Sequence, residues 1–279
     1  MKTVKIIASC LLFAVVCSCS SNKKKTDNDL IKRNLKGAVK SVKEEGFELI
    51  LGDNELTKGN KTLYSDPDVV LLFNKDGFLT RKQVLNPDGS IMNTYIYEYD
   101  KKNQLVKETK YTATENIDRV FTYVYKDGKL ESQTINTALG SVEYVDKYSY
   151  PTEMSMKQES FDKSGNLMYF FDYEYDKNKN MTKKDWHVNN NIVQTLYVYD
   201  DKNQLMTQTE INENEIETKW EYAYDEYGNV IVEITTFFDG SQLRRDMMYE
   251  FDAQGNWIIK LTFENDNPLF VTERTIEYY

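Results

Sequence analysis

The sequence predicts an all-β protein: a long antiparallel meander of about sixteen to eighteen strands, built from eight hairpin repeats and coiled upon itself. Three observations predict it. The string Y-x-Y-D-x-x-(G/N)-x-φ, with φ apolar, recurs along the chain, as YEYDKKNQL from Tyr97, YVYDDKNQL from Tyr197 and YAYDEYGNV from Tyr222. The second aromatic of each pair falls at Phe73, Tyr99, Tyr125, Tyr150, Tyr175, Tyr199, Tyr224, Phe251 and Tyr278, with gaps of only 24 to 27 residues. The three tyrosines of Tyr95-Ile96-Tyr97-Glu98-Tyr99 alternate with other residues and so share one face of a strand.

Each unit reads as two strands and two turns. Asp100-Lys101-Lys102-Asn103 turns the chain: the carboxylate accepts backbone N–H groups, and Gly or Asn takes the position that needs positive φ. That position is Gly77, Asn103, Asn203, Gly228 and Gly255, with Lys179 as the exception. In the second strand, counting by twos puts Val230, Val232, Ile234, Thr236 and Phe238 on one face, with Ile231, Glu233, Thr235 and Phe237 on the other. Second turns follow, as NPDGS from Asn86 and FDGSQ from Phe238. No helical periodicity intervenes between Leu71 and Tyr279. The residue between paired aromatics is polar in five units (Glu98, Ser149, Glu174, Glu250, Glu277), so the tyrosine face is expected inside.

Residues 30–70 depart from the repeat and read as a cap: LKGAVKSVKEEGFELIL from Leu35 starts the sheet, and Leu51 to Asp68 is a loop. The far end shows no cap. The last strand, Val271 to Tyr279, is expected as a free edge where a protein partner could add a strand.

The N-terminus reads as an address. Residues 1–18 carry two lysines and an apolar run of about eleven residues, too short for a mature bilayer-spanning helix, and form a secretory signal. Residues 19–29 are a polar tether. Without the signal's two lysines the net charge of −10 becomes −12, which argues against nucleic acid as a partner. Cys10 and Cys17 leave with the signal, so no internal disulfide is expected.

Enzyme motifs are missing: no G-x-S-x-G, P-loop, HExxH or CxxC. His187, the single histidine, sits beside a turn, where an exposed side chain is the plain reading. Asp176 to Asn180 imitates the start of a calcium loop, but Met181 and His187 replace its Gly and Glu, so no metal or cofactor is assigned. The tyrosine pairs allow two readings, a structural ladder or a platform for sugar rings. The aromatics proposed for ligand binding are Trp186, Trp220, Tyr222 and Trp257; Trp186 is expected on the outward face.

Two resemblances add to this. Val16-Cys17-Ser18-Cys19 resembles a bacterial lipobox, which implies a lipid on Cys19 and attachment to a membrane. Ser20 after that Cys implies an outer-membrane lipoprotein of the cell envelope, facing the periplasm or the surface. Tyr222 to Val230 resembles the YD repeat of Rhs-type proteins, over 71–279. That resemblance implies β-sheet that spirals into shells, with carbohydrate binding in some members. Asn229 and Asn256 stand where the family has Arg, and no toxin or self-cleaving core follows. Three roles are therefore open: a non-catalytic scaffold, a carbohydrate-binding module, or an enzyme on envelope glycans, the last without a motif to support it.

Overall fold

A computed structural model describes residues 28–53, 55–62, 67–212 and 215–279. The signal and Cys19 lie outside the described residues. One short helix, α1 (Asp29–Lys32), precedes nineteen strands. The first are β1 (Val39–Leu51), β2 (Leu56–Lys61), β3 (Val69–Phe73), β4 (Leu79–Leu85), β5 (Ile91–Tyr99) and β6 (Leu105–Thr112). The array continues through β7 (Ile117–Lys126), β8 (Lys129–Thr137), β9 (Val142–Thr152), β10 (Ser155–Asp162), β11 (Leu167–Tyr175) and β12 (Met181–Val188). It ends with β13 (Asn191–Tyr199), β14 (Leu205–Asn212), β15 (Glu215–Tyr224), β16 (Val230–Phe237), β17 (Gln242–Phe251), β18 (Trp257–Glu264) and β19 (Asn267–Tyr278).

Consecutive strands from β3 to β19 pair antiparallel, as the repeat predicts. The sheet does not end there. β1 pairs β3 on one side, with Val42 opposite Leu71, and β19 on the other, with Val42 opposite Ile276. Eighteen strands thus close into a barrel, and β2 lies outside the ring as a hairpin partner of β1. This corrects three expectations. The meander is not an open sheet coiled upon itself. Val271 to Tyr279 is not a free edge, because β18 and β1 occupy both sides of β19. The predicted loop from Leu51 to Asp68 contains β2.

At ~4.8 Å between strands and a tilt of ~40°, such a ring has a perimeter of roughly 110 Å, a circle about 35 Å across. Side chains from one wall cannot fill that space. Of ten buried apolar residues among those described, seven form a single cluster (Leu30, Leu35, Val39, Val42, Leu71, Phe73, Leu79) at one rim. The remaining interior side chains are half-buried along a lumen.

The tyrosine face is the inner one. The residues between the paired aromatics (Glu98, Val124, Ser149, Glu174, Val198, Glu250, Glu277) are exposed, and Tyr97 and Tyr278 join the buried cluster. The turns after the tyrosines form the first rim. Their geometry follows the reading of the Asp: Asp176 Oδ1 accepts from the N–H groups of Asn178 and Asn180, both at 2.8 Å. The positive-φ position is Asn103 (62°), Asn203 (63°) and Gly228 (84°), and Lys179 adopts it too, at 69°.

After each of these turns the register slips by one residue. Tyr175 faces Met181 but Glu174 faces Lys183; Tyr224 faces Val230 but Ala223 faces Val232. This bulge reverses the face of everything beyond it. Val230 therefore shares the inner face with Glu233 and Thr235, while Val232 and Ile234 point outward, which corrects the faces expected for β16. Trp186 likewise lies opposite Phe171, on the inner face, and not outward as counting by twos from the turn implies.

A bulge also leaves a carbonyl without a ladder partner. The tyrosines fill that gap. Tyr99 Oη donates to Leu79 O (2.9 Å), Tyr125 to Leu105 O (3.0 Å), Tyr150 to Leu130 O (3.0 Å) and Tyr224 to Leu205 O (2.7 Å). Each acceptor is the φ residue of the preceding unit. In these four units the spacing of ~25 residues is thus a structural ladder at the second tyrosine, and where Phe251 has no hydroxyl the first of the pair, Tyr249, donates instead to Val230 O (2.7 Å).

Candidate functional site

The inner wall supplies the surface on which the candidate residues meet. The first tyrosine of each pair has a long polar residue as its cross-strand neighbour: Tyr97 faces Glu108, Tyr123 faces Gln133, and Tyr148 faces Gln158. The pattern goes on with Tyr173 and Lys184, Tyr197 and Gln208, Tyr222 and Glu233, and Tyr249 and Lys260. Phenol and amide, carboxylate or ammonium alternate around the lumen as a girdle. Links within it are loose: Tyr123 Oη to Glu108 at 3.4 Å, Tyr148 Oη to Gln133 at 3.3 Å and Tyr173 Oη to Gln158 at 3.1 Å. Burial pushes the Tyr173 and Tyr249 hydroxyls up to about 12, so both stay protonated as donors at neutral pH. Burial also raises the Glu108 carboxyl above its ordinary range, against the hydrogen bond from Tyr123.

The four predicted ligand-binding aromatics all reach this inner face, but not one cluster. Trp186 stacks on Phe171 at 6.2 Å between centroids and remains 37% exposed toward the lumen. Trp220 lies between Gln208 and Thr235, and Tyr222 beside Glu233. Trp257 lines a cavity of about 440 Å³ with Glu233, Arg245, Tyr249 and Lys260. Arg274 covers the Trp257 ring at 3.3 Å and pairs with Glu44 at 2.9 Å. Burial holds the Arg274 guanidinium below its usual range, with Glu44 opposing that shift. Arg245 bridges Glu264 (3.2 Å) and Glu233 (3.5 Å) across the mouth of the cavity.

The cavity joins aromatic faces to fixed charged groups, which is how a polar ring compound is held. Among the described residues no group of His, Cys, Asp and Glu is arranged to hold a metal ion. His187 is half-buried on the outer wall, stacked on Phe170 at 4.1 Å and 3.3 Å from Asp172. Asp176 to Asn180 is an ordinary repeat turn.

Sequence reasoning missed the girdle and Arg274. The girdle has a signal: a long polar side chain recurs ten or eleven residues after the first tyrosine in seven units. Arg274 has none, since its charge partner Glu44 meets it only through barrel closure.

The outer wall bears ion pairs along its strands. Lys183 pairs with Asp185 (2.8 Å) and Glu174 (3.4 Å), Lys107 with Glu98 (2.7 Å), Lys219 with Glu221 (2.8 Å) and Arg244 with Asp246 (2.6 Å). A membrane-spanning barrel needs an outward apolar band, and each Lys or Arg at mid-bilayer costs about 2–4 kcal/mol. This wall suits water. No helix among the described residues is long and apolar enough to cross a membrane.

No protein-family model matches the chain. No curated protein matches it. Among solved structures, a porin-like protein from Bacteroides uniformis aligns over 87% of this chain and 99% of its own, at 12% identity and TM-score 0.45. A porin-like protein from Bacteroides vulgatus aligns over 86% and 98%, at 12% identity and TM-score 0.33. A TcdB2-TccC3-TEV structure aligns over 81% of this chain and 16% of its own, at 11% identity and TM-score 0.23.

Proposed function

We propose that this chain is a non-catalytic protein of the cell envelope, held on the outer membrane by a lipid on Cys19, that binds a carbohydrate inside a water-surrounded barrel. The observation that carries the reading is the inward girdle of tyrosines and long polar side chains, opening into the Trp257 cavity. Sugar rings offer apolar C–H faces and a fringe of hydroxyls. Aromatic faces flanked by Glu233, Arg245 and Lys260 match both. The Rhs-type YD reading of the repeat agrees with this role and is part of the proposal. A scaffold acting by strand addition loses its motivation, since β19 has no unpaired side.

All three tryptophans of the chain, Trp186, Trp220 and Trp257, lie on the inner face, so intrinsic fluorescence reports on the lumen. The test is a glycan array with the mature protein, followed by fluorescence titration of the best oligosaccharide. Saturable emission change is expected, with affinity weakened about tenfold or more by Trp257→Ala. An empty array, or binding indifferent to both Trp257→Ala and Trp186→Ala, refutes the reading.

A further inference from the structure

Not every cation of the outer wall is paired. Arg81 lies opposite Leu72 on one side and Ile96 on the other. Ile96 stands between the inward Tyr95 and Tyr97, so the Arg81 side chain is on the outer face. Its Nε is buried and has no hydrogen-bond partner, and no described carboxylate forms an ion pair with its guanidinium. A buried donor on a charged group is costly to leave without an acceptor. The ladder neighbours Leu72 and Ile96 are apolar and offer no side-chain acceptor. Beside Arg81 is a pocket of about 300 Å³, lined by Arg81, Thr94, Ile96, Tyr111 and Glu115. Thr94 lies opposite Tyr111, two positions along from Ile96, and so on the same outer face. Glu115 is exposed in the turn from β6 to β7, at a φ of 60°, with its N–H donating to Thr112 O (3.0 Å). Arg81 and Glu115 line one pocket yet make no ion pair. The cavity keeps the two opposite charges apart.

We infer that this outer-wall pocket binds a small carboxylate ligand that carries a hydrogen-bond donor at its other end. The planar guanidinium of Arg81 offers a carboxylate two parallel N–H donors, a stronger grip than a neutral group makes. Ile96 and the Tyr111 ring give the carbon skeleton an apolar floor, and the Thr94 and Tyr111 hydroxyls add polar contacts. Glu115 accepts from the donor end, a hydroxyl or an ammonium. One guanidinium facing one carboxylate balances a single negative charge, so a carboxylate suits the pocket better than a phosphate dianion. The site is separate from the lumen and independent of what the lumen binds.

The test is nitrogen NMR of the isotope-labelled mature protein. Because Nε is shielded from water, the Arg81 Nε–Hε signal should persist at neutral pH; Arg81→Lys, which lacks that group, assigns the peak. Sodium glucuronate and sodium lactate are the probes, with glucose, sodium chloride and sodium phosphate as controls. A saturable shift is expected with glucuronate or lactate at about 1–10 mM, weakened several-fold by Tyr111→Phe. No saturable shift with either carboxylate, or an equal shift from glucose or from chloride at matched ionic strength, overturns the site. A stronger response to phosphate than to both carboxylates overturns the ligand class. The signal belongs to the outer wall, so the lumen reading stands or falls separately. Thermal melting is the second measurement. Arg81→Met should melt no lower than the parent and lose the rise in melting point that glucuronate gives the parent. A marked fall for Arg81→Met without ligand would show that the fold itself holds the guanidinium, and refutes the inference.

Discussion

Asn256 joins the strap of residues 28–38, which lies over the tyrosine turns, to the last strand and to its own repeat turn. It is 2% exposed. Its Oδ1 accepts from Lys36 N–H at 2.8 Å, and its Nδ2 donates to Lys36 O and to Tyr278 Oη, each at 2.8 Å. Asn256→Ala removes these three bonds and leaves a backbone donor, a backbone acceptor and a phenol to find water. At about 1 kcal/mol per bond the expected loss is about 3 kcal/mol. Asn229 occupies the same position in the preceding unit and provides the control. Its Nδ2 bonds only its own turn, Asp225 Oδ2 at 2.9 Å, and its Oδ1 receives Asn34 Nδ2 at a long 3.4 Å. Asn229→Ala should cost about 1 kcal/mol. Urea unfolding of both variants measures the difference, and hydrogen exchange of the Lys36 amide shows whether the strap opens first. Similar losses for the two, or a loss at Asn256 no larger than about 1 kcal/mol, would refute the view that the strap is clasped at this residue.

Three further outcomes are expected. Lys179→Asn places a residue tolerant of positive φ at 69° and should stabilise by about 0.5–1 kcal/mol in thermal or urea unfolding; destabilisation would show that the lysine side chain matters more than its backbone. Glu108→Gln should be more stable than the parent at pH 7. The folded state holds the Glu108 proton more tightly than the unfolded chain does, so parental stability falls as pH rises from about 4.5 through the higher folded value; urea titrations across that range should show the gap closing toward acid. Arg274→Met strands Glu44 beside Trp257 and should cost about 3 kcal/mol, part of which returns when Glu44→Gln is added; additive losses in that double-mutant cycle would deny the coupling.

Local chemistry was legible in the sequence. The Asp that starts each turn, the Gly or Asn at positive φ and the outward polar residue between paired tyrosines all stand where the repeat puts them. Facing beyond the turns was not, because a bulge after the tyrosines shifts alternation by one residue, which moved Trp186, Glu233 and Thr235 to the lumen and Val232 and Ile234 to the outer wall. Closure was not legible either. It depends on β1 matching β19 across more than 200 residues of chain, and neither strand carries a local mark of its partner. Of the proposed ligand aromatics, Trp257 joins a cavity whose other members come from three strands besides its own, a convergence set by the bulged register of β16 to β19 and not marked at any one position of the sequence.

That ring also restricts how its width can change. β1 can meet β19 antiparallel only while the number of strands between them keeps the present parity. Gain or loss of one whole unit adds or removes two strands, widens or narrows the bore by about 4 Å, and leaves the seam able to zip. Half a unit would bring the two ends together running the same way, and the present antiparallel register of β1 on β19 would be lost. The unit of inheritance for barrel width in this architecture is therefore the hairpin pair, copied entire.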